Sequence, residues 1–316
     1  MLKATIPFLG LFFISAGLSL WFSLAEKSVT SSSVKWIEIP KASVAAISLQ
    51  TKKEKIDIRK QEGLFWATIS KRGGESESAG YTFRVNKEFS KVLSGLDPLY
   101  AKRMVGKTKD VKLLDFGLGD ESTRIKISHS DAQVREMVMG KRSYGSSSLY
   151  LQDLKTGTIA LVDSEVFELL KSSRSRLIER NIWDSQVHSE MTKGTIIYEG
   201  KEVTFNSELG PKKKWKASKD SIDDKLLNNW LSQLNKLRVQ DYPDLKTTES
   251  LKKLKGLFSV KFDGEQGQEE LSIYKLEVAA DKKSYWVRTS YLSGFGKVSS
   301  NRSETLTKDL PSLVNN

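Results

Sequence analysis

Apolar residues recur at helical spacing in two segments of the chain. The first contains Phe89, Val92, Leu93, Leu96 and Leu99, and the second repeats the pattern 138 residues later with Leu227, Trp230, Leu231, Leu234 and Leu237. Positions i, i+3, i+4 and i+7 fall on one face of an α-helix, so each segment predicts a helix with one buried face. Asn86 is a suitable N-terminal cap for the first. Within 86–104, Pro98 lacks a backbone N–H and predicts a kink or an early end.

Alternating apolar and polar residues surround both helices in the same order. Ile125-Lys126-Ile127 follows the first helix and Val260-Lys261-Phe262 the second, as in half-buried strands. Upstream of each helix a strand pair ends at a tryptophan, Trp66 or Trp215. Further strands are predicted at 134–139, 149–151, 158–162, 271–276, 285–287 and 296–299, and each series closes on a helix that begins Ser-Glu, at 164 and at 303. We therefore predict an α+β fold of two similar repeats, each an antiparallel sheet with packed helices.

An uncharged apolar stretch from Ala4 to Ala25 is long enough to cross a membrane as a helix. Lys3 precedes it and Trp21 lies near its outer end, which agrees with the positive-inside rule and the aromatic belt. This predicts one transmembrane anchor with the N-terminus in the cytoplasm. The alternative is a cleaved signal peptide, because Ser23-Leu24-Ala25 offers small residues to a signal peptidase, although the run exceeds the roughly 7–15 residues of a signal.

These patterns predict six segments along the chain. They are a cytoplasmic N-terminus at 1–3, the anchor at 4–25, a polar spacer at 26–35, the first repeat at 36–183, the second repeat at 184–310 and a tail at 311–316.

Composition limits the chemistry. The 316 residues include no cysteine and only two histidines, which excludes disulfides, thiolate nucleophiles, cysteine-based metal sites and histidine-rich metal sites. We expect no cofactor and no metal. The net charge of +12 favours anionic partners such as envelope polymers, lipid headgroups or an acidic protein surface, and a role in solubility alone is the alternative. Acidic residues are interspersed among the basic ones and the chain is predicted to lie outside the cytoplasm, so nucleic acid is not an expected partner.

No local motif indicates catalysis. Asp115-Phe116-Gly117 matches the magnesium-binding triplet of kinases, but the chain lacks the other kinase motifs, and we interpret Phe116 and Leu118 as core residues and Gly117 as a turn. The serine-rich loop 144–148 lacks the Gly-x-Ser-x-Gly elbow. The histidines, His129 and His188, are interpreted as solvent-facing, and a catalytic role for one of them is the alternative. The acid pairs Asp223-Asp224 and Asp163 with Glu165 are interpreted as stabilising helix N-termini rather than as a cation or glycosidase site. We predict no catalytic residues.

One basic cluster is a candidate docking surface. Arg174, Arg176 and Arg180 have the spacing of one helical face, and such a face suits an acidic partner. The alternative is an ordinary solvated face.

Four features of the chain point to one family. They are the N-terminal apolar helix, the duplicated hairpin–helix–sheet pattern, Asp115-Phe116-Gly117-Leu118 before a strand, and Arg174-Ser175-Arg176-Leu177 between the halves. Together they resemble the bacterial domain of unknown function 4340 family. Members of that family typically carry tyrosine where Phe116 stands. The resemblance covers most of the chain after the anchor. It implies a membrane-anchored periplasmic protein that associates with ABC-2-type transporters, including gliding-like systems, and it implies no catalytic residues.

These observations predict a non-enzymatic accessory or scaffold protein of the inner membrane, with a single-pass anchor, a periplasmic bulk and ABC transporter subunits as partners. Two alternatives remain open. One is a periplasmic enzyme that acts on cell-envelope polymers. The other is a secreted, soluble ligand-binding protein released by cleavage near Ala25.

Overall fold

The computed structural model describes residues 33–71, 80–208, 214–265, 267–279 and 282–314. This part of the chain has a mixed α+β fold with two antiparallel sheets and seven α-helices, which confirms the predicted fold class at that level. The predicted anchor at 4–25, the segment 1–3 and the spacer up to residue 32 lie outside the described residues. Within the described ranges, every helix is too short or too polar to cross a membrane.

The larger sheet contains ten strands. They are β1 (Val34–Ile37), β2 (Val44–Gln50), β3 (Glu54–Gln61), β4 (Leu64–Lys71), β5 (Tyr81–Arg84), β6 (Leu99–Lys107), β7 (Thr123–His129), β8 (Val134–Arg142), β9 (Ser148–Asp153) and β10 (Thr158–Asp163). Their order is β1-β6-β10-β9-β8-β7-β2-β3-β4-β5. Together with α1 (Phe89–Leu96), α2 (Glu165–Lys171) and α3 (Ser173–Arg176), this sheet forms the first lobe.

The smaller sheet contains seven strands. They are β11 (Met191–Tyr198), β12 (Lys201–Glu208), β13 (Lys214–Ala217), β14 (Phe258–Gly264), β15 (Gly267–Ala279), β16 (Lys282–Thr289) and β17 (Gly294–Val298), in the order β13-β12-β11-β14-β15-β16-β17. The second lobe adds α4 (Ser185–Ser189), α5 (Asp224–Asn235), α6 (Leu245–Lys252) and α7 (Ser300–Val314). Its strand order corresponds position by position to β4-β3-β2-β7-β8-β9-β10 of the larger sheet, which adds β5 at one edge and β6 and β1 at the other.

Both predicted helices are present, but the apolar stripe outlasts each of them. α1 ends at Leu96, so the early end expected from Pro98 is confirmed, whereas the helical prediction for 99–104 is wrong. Leu99 is the first residue of β6 and is still buried, because alternate side chains at the start of this strand point into the core. Leu237 similarly follows the end of α5 and is buried. The pattern therefore predicts burial more reliably than helix length.

The predicted strands after each helix are all present, and the boundaries differ by a few residues. The second closing helix begins at Ser300 rather than at Ser303. Asn86 does not cap α1 directly, because the helix begins three residues later, but its side chain accepts a hydrogen bond from the amide of Glu88 at 3.0 Å and shapes the turn before the helix.

The two lobes share one apolar core and are joined edge to edge. Buried residues of both sheets belong to a single cluster. Three isolated β-bridges connect the continuation of β5 to β17 through two extended segments: Val85 with Ile178, Asn181 with Arg238, and Asp241 with Lys297. We call the segments 177–182 and 238–242 the seam. Backbone groups that would be left without partners at the two sheet edges are paired here.

Candidate functional site

The three arginines predicted to form a docking face lie at the seam, but they do not share one helical face. Helix α3 ends at Arg176, and Arg180 lies in the extended segment beyond it. The spacing prediction is therefore wrong, because the helix is only four residues long. Arg174 and Arg180 bind the neighbouring seam strand instead. The guanidinium of Arg174 lies 3.6 Å from a carboxylate oxygen of Asp241, and Nη1 of Arg180 donates to the carbonyl of Val239 at 3.2 Å.

Arg176 differs from the other two arginines. Its side chain is exposed and has no ion pair within the part of the chain that the structure describes. Docking through these arginines stays a prediction, and the geometry assigns Arg174 and Arg180 an additional role in holding the two lobes together.

A buried carboxylate lies at the centre of the seam. Glu179 is 4% exposed, and its carboxylate accepts hydrogen bonds from the phenol of Tyr291 at 2.9 Å and from the amide of Asn181 at 2.8 Å. Its backbone carbonyl accepts from the phenol of Tyr242 at 2.9 Å. The guanidinium of Arg84 stacks 3.7 Å from the centre of the Tyr291 ring and donates to that residue's carbonyl. Glu179 thus contacts side chains of the second lobe through both its carboxylate and its backbone carbonyl.

This environment keeps the seam tyrosines protonated. Burial is the main cause that raises the pKa of Tyr242 and of Tyr291, and the negative charge of Glu179 adds to it. Burial also raises the pKa of Tyr81, to about 12, although the nearby Arg174 guanidinium opposes the shift. At neutral pH all three phenols are therefore protonated, and those of Tyr242 and Tyr291 donate hydrogen bonds to Glu179.

A cleft of about 480 Å³ opens beside the seam, and we call it the seam cleft. Trp66 and Thr82 of the first lobe line one side, and Tyr242, Thr248 and Phe295 of the second lobe line the other. The cleft is therefore built only when the two lobes are joined.

Two cations and no acidic side chain line the seam cleft. Arg288 of β16 is exposed, lies 5.8 Å from the centre of the Phe295 ring and makes no ion pair among the described residues. Lys252 of α6 pairs with Glu249 at 2.9 Å, but both are largely exposed, and such a pair is worth little in water. Aromatic rings with cations above them suit an anion that carries apolar groups.

Local sequence explains how α6 presents Lys252 and Thr248 to the cleft. Asp244 caps the helix, because its carboxylate accepts from the amide of Thr247 at 2.7 Å and its carbonyl accepts from the hydroxyl of Thr248 at 2.8 Å. The hydrogen bond from the Thr247 amide holds the pKa of Asp244 below its usual value. The cap fixes where the helix begins and hence where its side chains lie.

A serine–histidine pair is the one arrangement that favours the enzyme alternative. Oγ of Ser43 lies 2.8 Å from Nδ1 of His129, and the same Oγ donates to the carbonyl of Pro40 at 2.8 Å. His129 is half-buried rather than fully solvent-facing. No acid orients it within the described residues, and a serine requires a correctly held base to act as a nucleophile.

The other histidine is buried, so its interpretation as solvent-facing is wrong. The side chain of His188 is 15% exposed, its ring stacks on Trp183, and its Nδ1 lies 3.1 Å from a carboxylate oxygen of Glu269. No local pattern indicates the burial of His188, because it depends on the packing of Trp183 and on Glu269, which is 81 residues away.

The remaining motifs have the structural roles expected of them. Leu118 is buried, Phe116 packs against the same small cluster, and Gly117 has a left-handed φ of +69°. The acids Asp223 and Asp163 each accept a hydrogen bond from an amide at a helix start. In the described ranges no three acidic or histidine side chains are placed to hold a metal ion.

Comparison with protein-family models identifies the family of this chain. A family model described as "Domain of unknown function (DUF4340)" matches residues 81–259, which is more than half of the chain. The matched span begins in β5, crosses the seam and ends in β14. No curated protein matches the chain.

Proposed function

The chain belongs to the DUF4340 family, and on that premise we propose that it is a non-enzymatic, membrane-anchored extracytoplasmic accessory protein. Its two lobes descend from a duplicated unit, and it holds an acidic segment of an ABC-type transporter subunit in the seam cleft. The apolar stretch 4–25 supports the anchor, and the corresponding strand orders of the two sheets support the duplication. The transporter is the partner that the family resemblance implies.

The observation that carries the proposal is the lining of the seam cleft. Arg288 and Lys252 stand among three aromatic rings, and no acidic side chain lines the space. Charge complementarity therefore selects an acidic partner over a basic one. The net charge of +12 adds long-range attraction for the same kind of partner.

Charge reversal at the cleft tests the proposal. The double variant Arg288→Glu, Lys252→Glu is compared with Lys253→Glu, which changes an exposed lysine next in sequence that does not line the cleft. Co-purification of transporter subunits from detergent-extracted membranes is the measurement. We expect the double variant to reduce recovery at least about tenfold, equivalent to about 1.4 kcal/mol, and the control to retain it. Equal recovery from all three proteins would contradict docking in the cleft.

The anchor has a separate test. The intact mass of the protein from membranes should correspond to a chain that retains residues 4–25, and alkaline carbonate should leave it in the membrane fraction. Loss of about 25 residues would instead support the secreted ligand-binding protein, since a signal peptidase cuts after small residues such as those at 23–25.

A further inference from the structure

A trough of about 710 Å³ lies on the outer face of the larger sheet, over strands β3, β2, β7 and β8. We call it the sheet trough. Small side chains form its floor, among them Ala46 and Ser48 of β2 and Ser128 of β7. Ile47 and Leu49 alternate with these β2 residues and are buried in the core, so the trough lies on the opposite face of the sheet. It shares no lining residue with the seam cleft, so it does not depend on the proposed transporter partner.

Positive charge is in excess along the sheet trough. The charged side chains that line it are five cations, Lys55, Arg59, Lys60, Arg124 and Lys126, and two acids, Asp57 and Glu136. Each acid pairs with a lysine of the trough, at 2.9 Å and 3.5 Å. The two arginines are exposed and make no ion pair among the described residues. An anion can therefore reach both guanidinium groups without displacing an acidic side chain.

The sheet register fixes the spacing of the two arginines. Arg59 of β3 lies opposite Ala46 of β2, and Arg124 of β7 lies opposite Gln50 of the same strand. Their Cα atoms are therefore two strands apart and four residues apart along β2, a separation of about 16 Å. Ser48 lies midway between them. A ligand that meets both arginines must span this distance and pass over a neutral, hydroxyl-bearing floor.

The lining argues against a peptide and against a nucleic acid. All four strands of the trough pair with a neighbour on both sides, so none offers a free edge to which an extended peptide could add. No aromatic side chain lines the trough in the described ranges, and its one exposed large apolar residue is Leu154. Peptide interfaces depend on buried aromatic or apolar anchors, and bases of single-stranded nucleic acids stack on aromatic rings. Charge and hydroxyl groups are what the trough presents.

We propose that the sheet trough binds an anionic glycan in which acidic sugars are separated by neutral sugars. The carboxylates of the acidic sugars pair with Arg59 and Arg124, whose forked guanidinium groups match a carboxylate with two parallel hydrogen bonds. The hydroxyls of the intervening neutral sugar meet the hydroxyls of Ser48 and Ser128, which both donate and accept. The separation of the two arginines thus selects a sparsely charged chain over a densely charged one.

Fluorescence anisotropy of a labelled hyaluronan decasaccharide, in which uronic acids alternate with neutral sugars, tests this on the full-length protein in zwitterionic detergent. We expect saturable binding that weakens as salt is added. The double variant Arg59→Gln, Arg124→Gln should weaken binding about fivefold or more. Arg103→Gln, Lys109→Gln is the matched control, because it removes the same charge from exposed residues that do not line the trough, and it should bind like the wild type.

Competitors distinguish a glycan from other anions. They are the unlabelled decasaccharide, a capped peptide of five glutamates with the same number of carboxylates, dihexanoyl phosphatidylglycerol as a lipid headgroup, and neutral dextran. We expect only the decasaccharide to compete well, and Arg288→Glu, Lys252→Glu at the seam cleft to leave binding intact.

Four results would each overturn the proposal. Binding might fail to saturate by about 1 mM glycan. The glutamate peptide or the lipid might compete as strongly as the decasaccharide, which would indicate a peptide, a membrane surface or unselective attraction instead. Dextran might compete equally, so that charge plays no part. Finally, both double variants might weaken binding equally while circular dichroism shows that they are folded.

Discussion

Replacing Glu179 by alanine removes a buried carboxylate of the seam that binds the phenol of Tyr291 in the second lobe. The change leaves the amide of Asn181 and the phenol of Tyr291 without their acceptor in a region where Glu179 is 4% exposed. Three isolated β-bridges, the contacts of Arg174 and Arg180 and the bond from Tyr242 to the Glu179 carbonyl remain in place after this change. We therefore expect this one substitution to destabilise the whole protein, not one lobe alone, since buried residues of both lobes form a single apolar cluster.

The magnitude follows from the two lost hydrogen bonds. Bonds to a charged acceptor contribute about 1.5–3 kcal/mol each, so their sum is about 3–6 kcal/mol. Removing the carboxylate also relieves the cost of burying a charge, which offsets part of this loss. We expect Glu179→Ala to lower the free energy of unfolding by about 2–4 kcal/mol and Tyr291→Phe to lower it by about 1.5–3 kcal/mol.

A double-mutant cycle isolates the bond between the two side chains. Equilibrium unfolding in urea, followed by tryptophan fluorescence, gives the free energies of both single variants and of the double variant. We expect one cooperative transition and a coupling energy above about 1 kcal/mol. As a control, replacing the exposed Glu277 by alanine should lower the free energy of unfolding by less than about 0.5 kcal/mol. If the two seam substitutions are additive within about 0.5 kcal/mol, the carboxylate does not join the lobes as described.

Three further outcomes follow from the geometry. Gly95→Ala should lower the melting temperature by an amount equivalent to about 1–3 kcal/mol, because a Cβ would lie 2.1 Å from Cγ2 of Val166, whereas the exposed Ser94→Ala should not lower it. Asp244→Ala should lower the stability of the protein by about 1 kcal/mol, and Asp244→Asn should lower it by less, both measured by the melting temperature. The folded state lowers the pKa of Asp244, so the stability that its carboxylate contributes is present above the unfolded pKa, about 3.9, and is lost as pH falls through the folded pKa. The difference in melting temperature between the wild type and Asp244→Ala should therefore disappear in strong acid. A difference that persists there unchanged would contradict this. Burial raises the pKa of Tyr81 from 10.0 to about 12, so the stability that its protonated phenol contributes is complete below pH 10 and is lost as pH rises towards 12. In a titration followed by ultraviolet absorbance, a phenol should ionise late, and Tyr81→Phe should remove that signal.

Local patterns predicted the elements whose determinants are local. The stripes of α1 and α5 and the alternation in β7 and β14 arise from positions a few residues apart, so periodicity located them. The ends of the helices were not predicted where the next element continued the apolar pattern. Leu99 satisfies the helical spacing and the strand alternation equally well, and only the whole sheet, in which β6 pairs with β1 and β10, selects the strand.

The candidate sites depend on contacts between residues far apart in sequence. Tyr242 and Tyr291 reach Glu179 across 63 and 112 residues, and no local pattern records that pairing. The contact that Arg174 makes within the seam was not predictable either, since its partner Asp241 comes from the neighbouring extended segment. Burial of His188 similarly required the positions of Trp183 and Glu269.

Photocrosslinking in native membranes tests the central claim most directly. A photoreactive amino acid is placed at Thr82, which lines the seam cleft, and in a second protein at Tyr144, which is fully exposed on the turn before β9. We predict a covalent adduct with an ABC transporter subunit from position 82 and none from position 144. The adduct should disappear in the Arg288→Glu, Lys252→Glu background. An adduct with a transporter subunit from position 144 alone, or no adduct with any transporter subunit from position 82, would contradict the account.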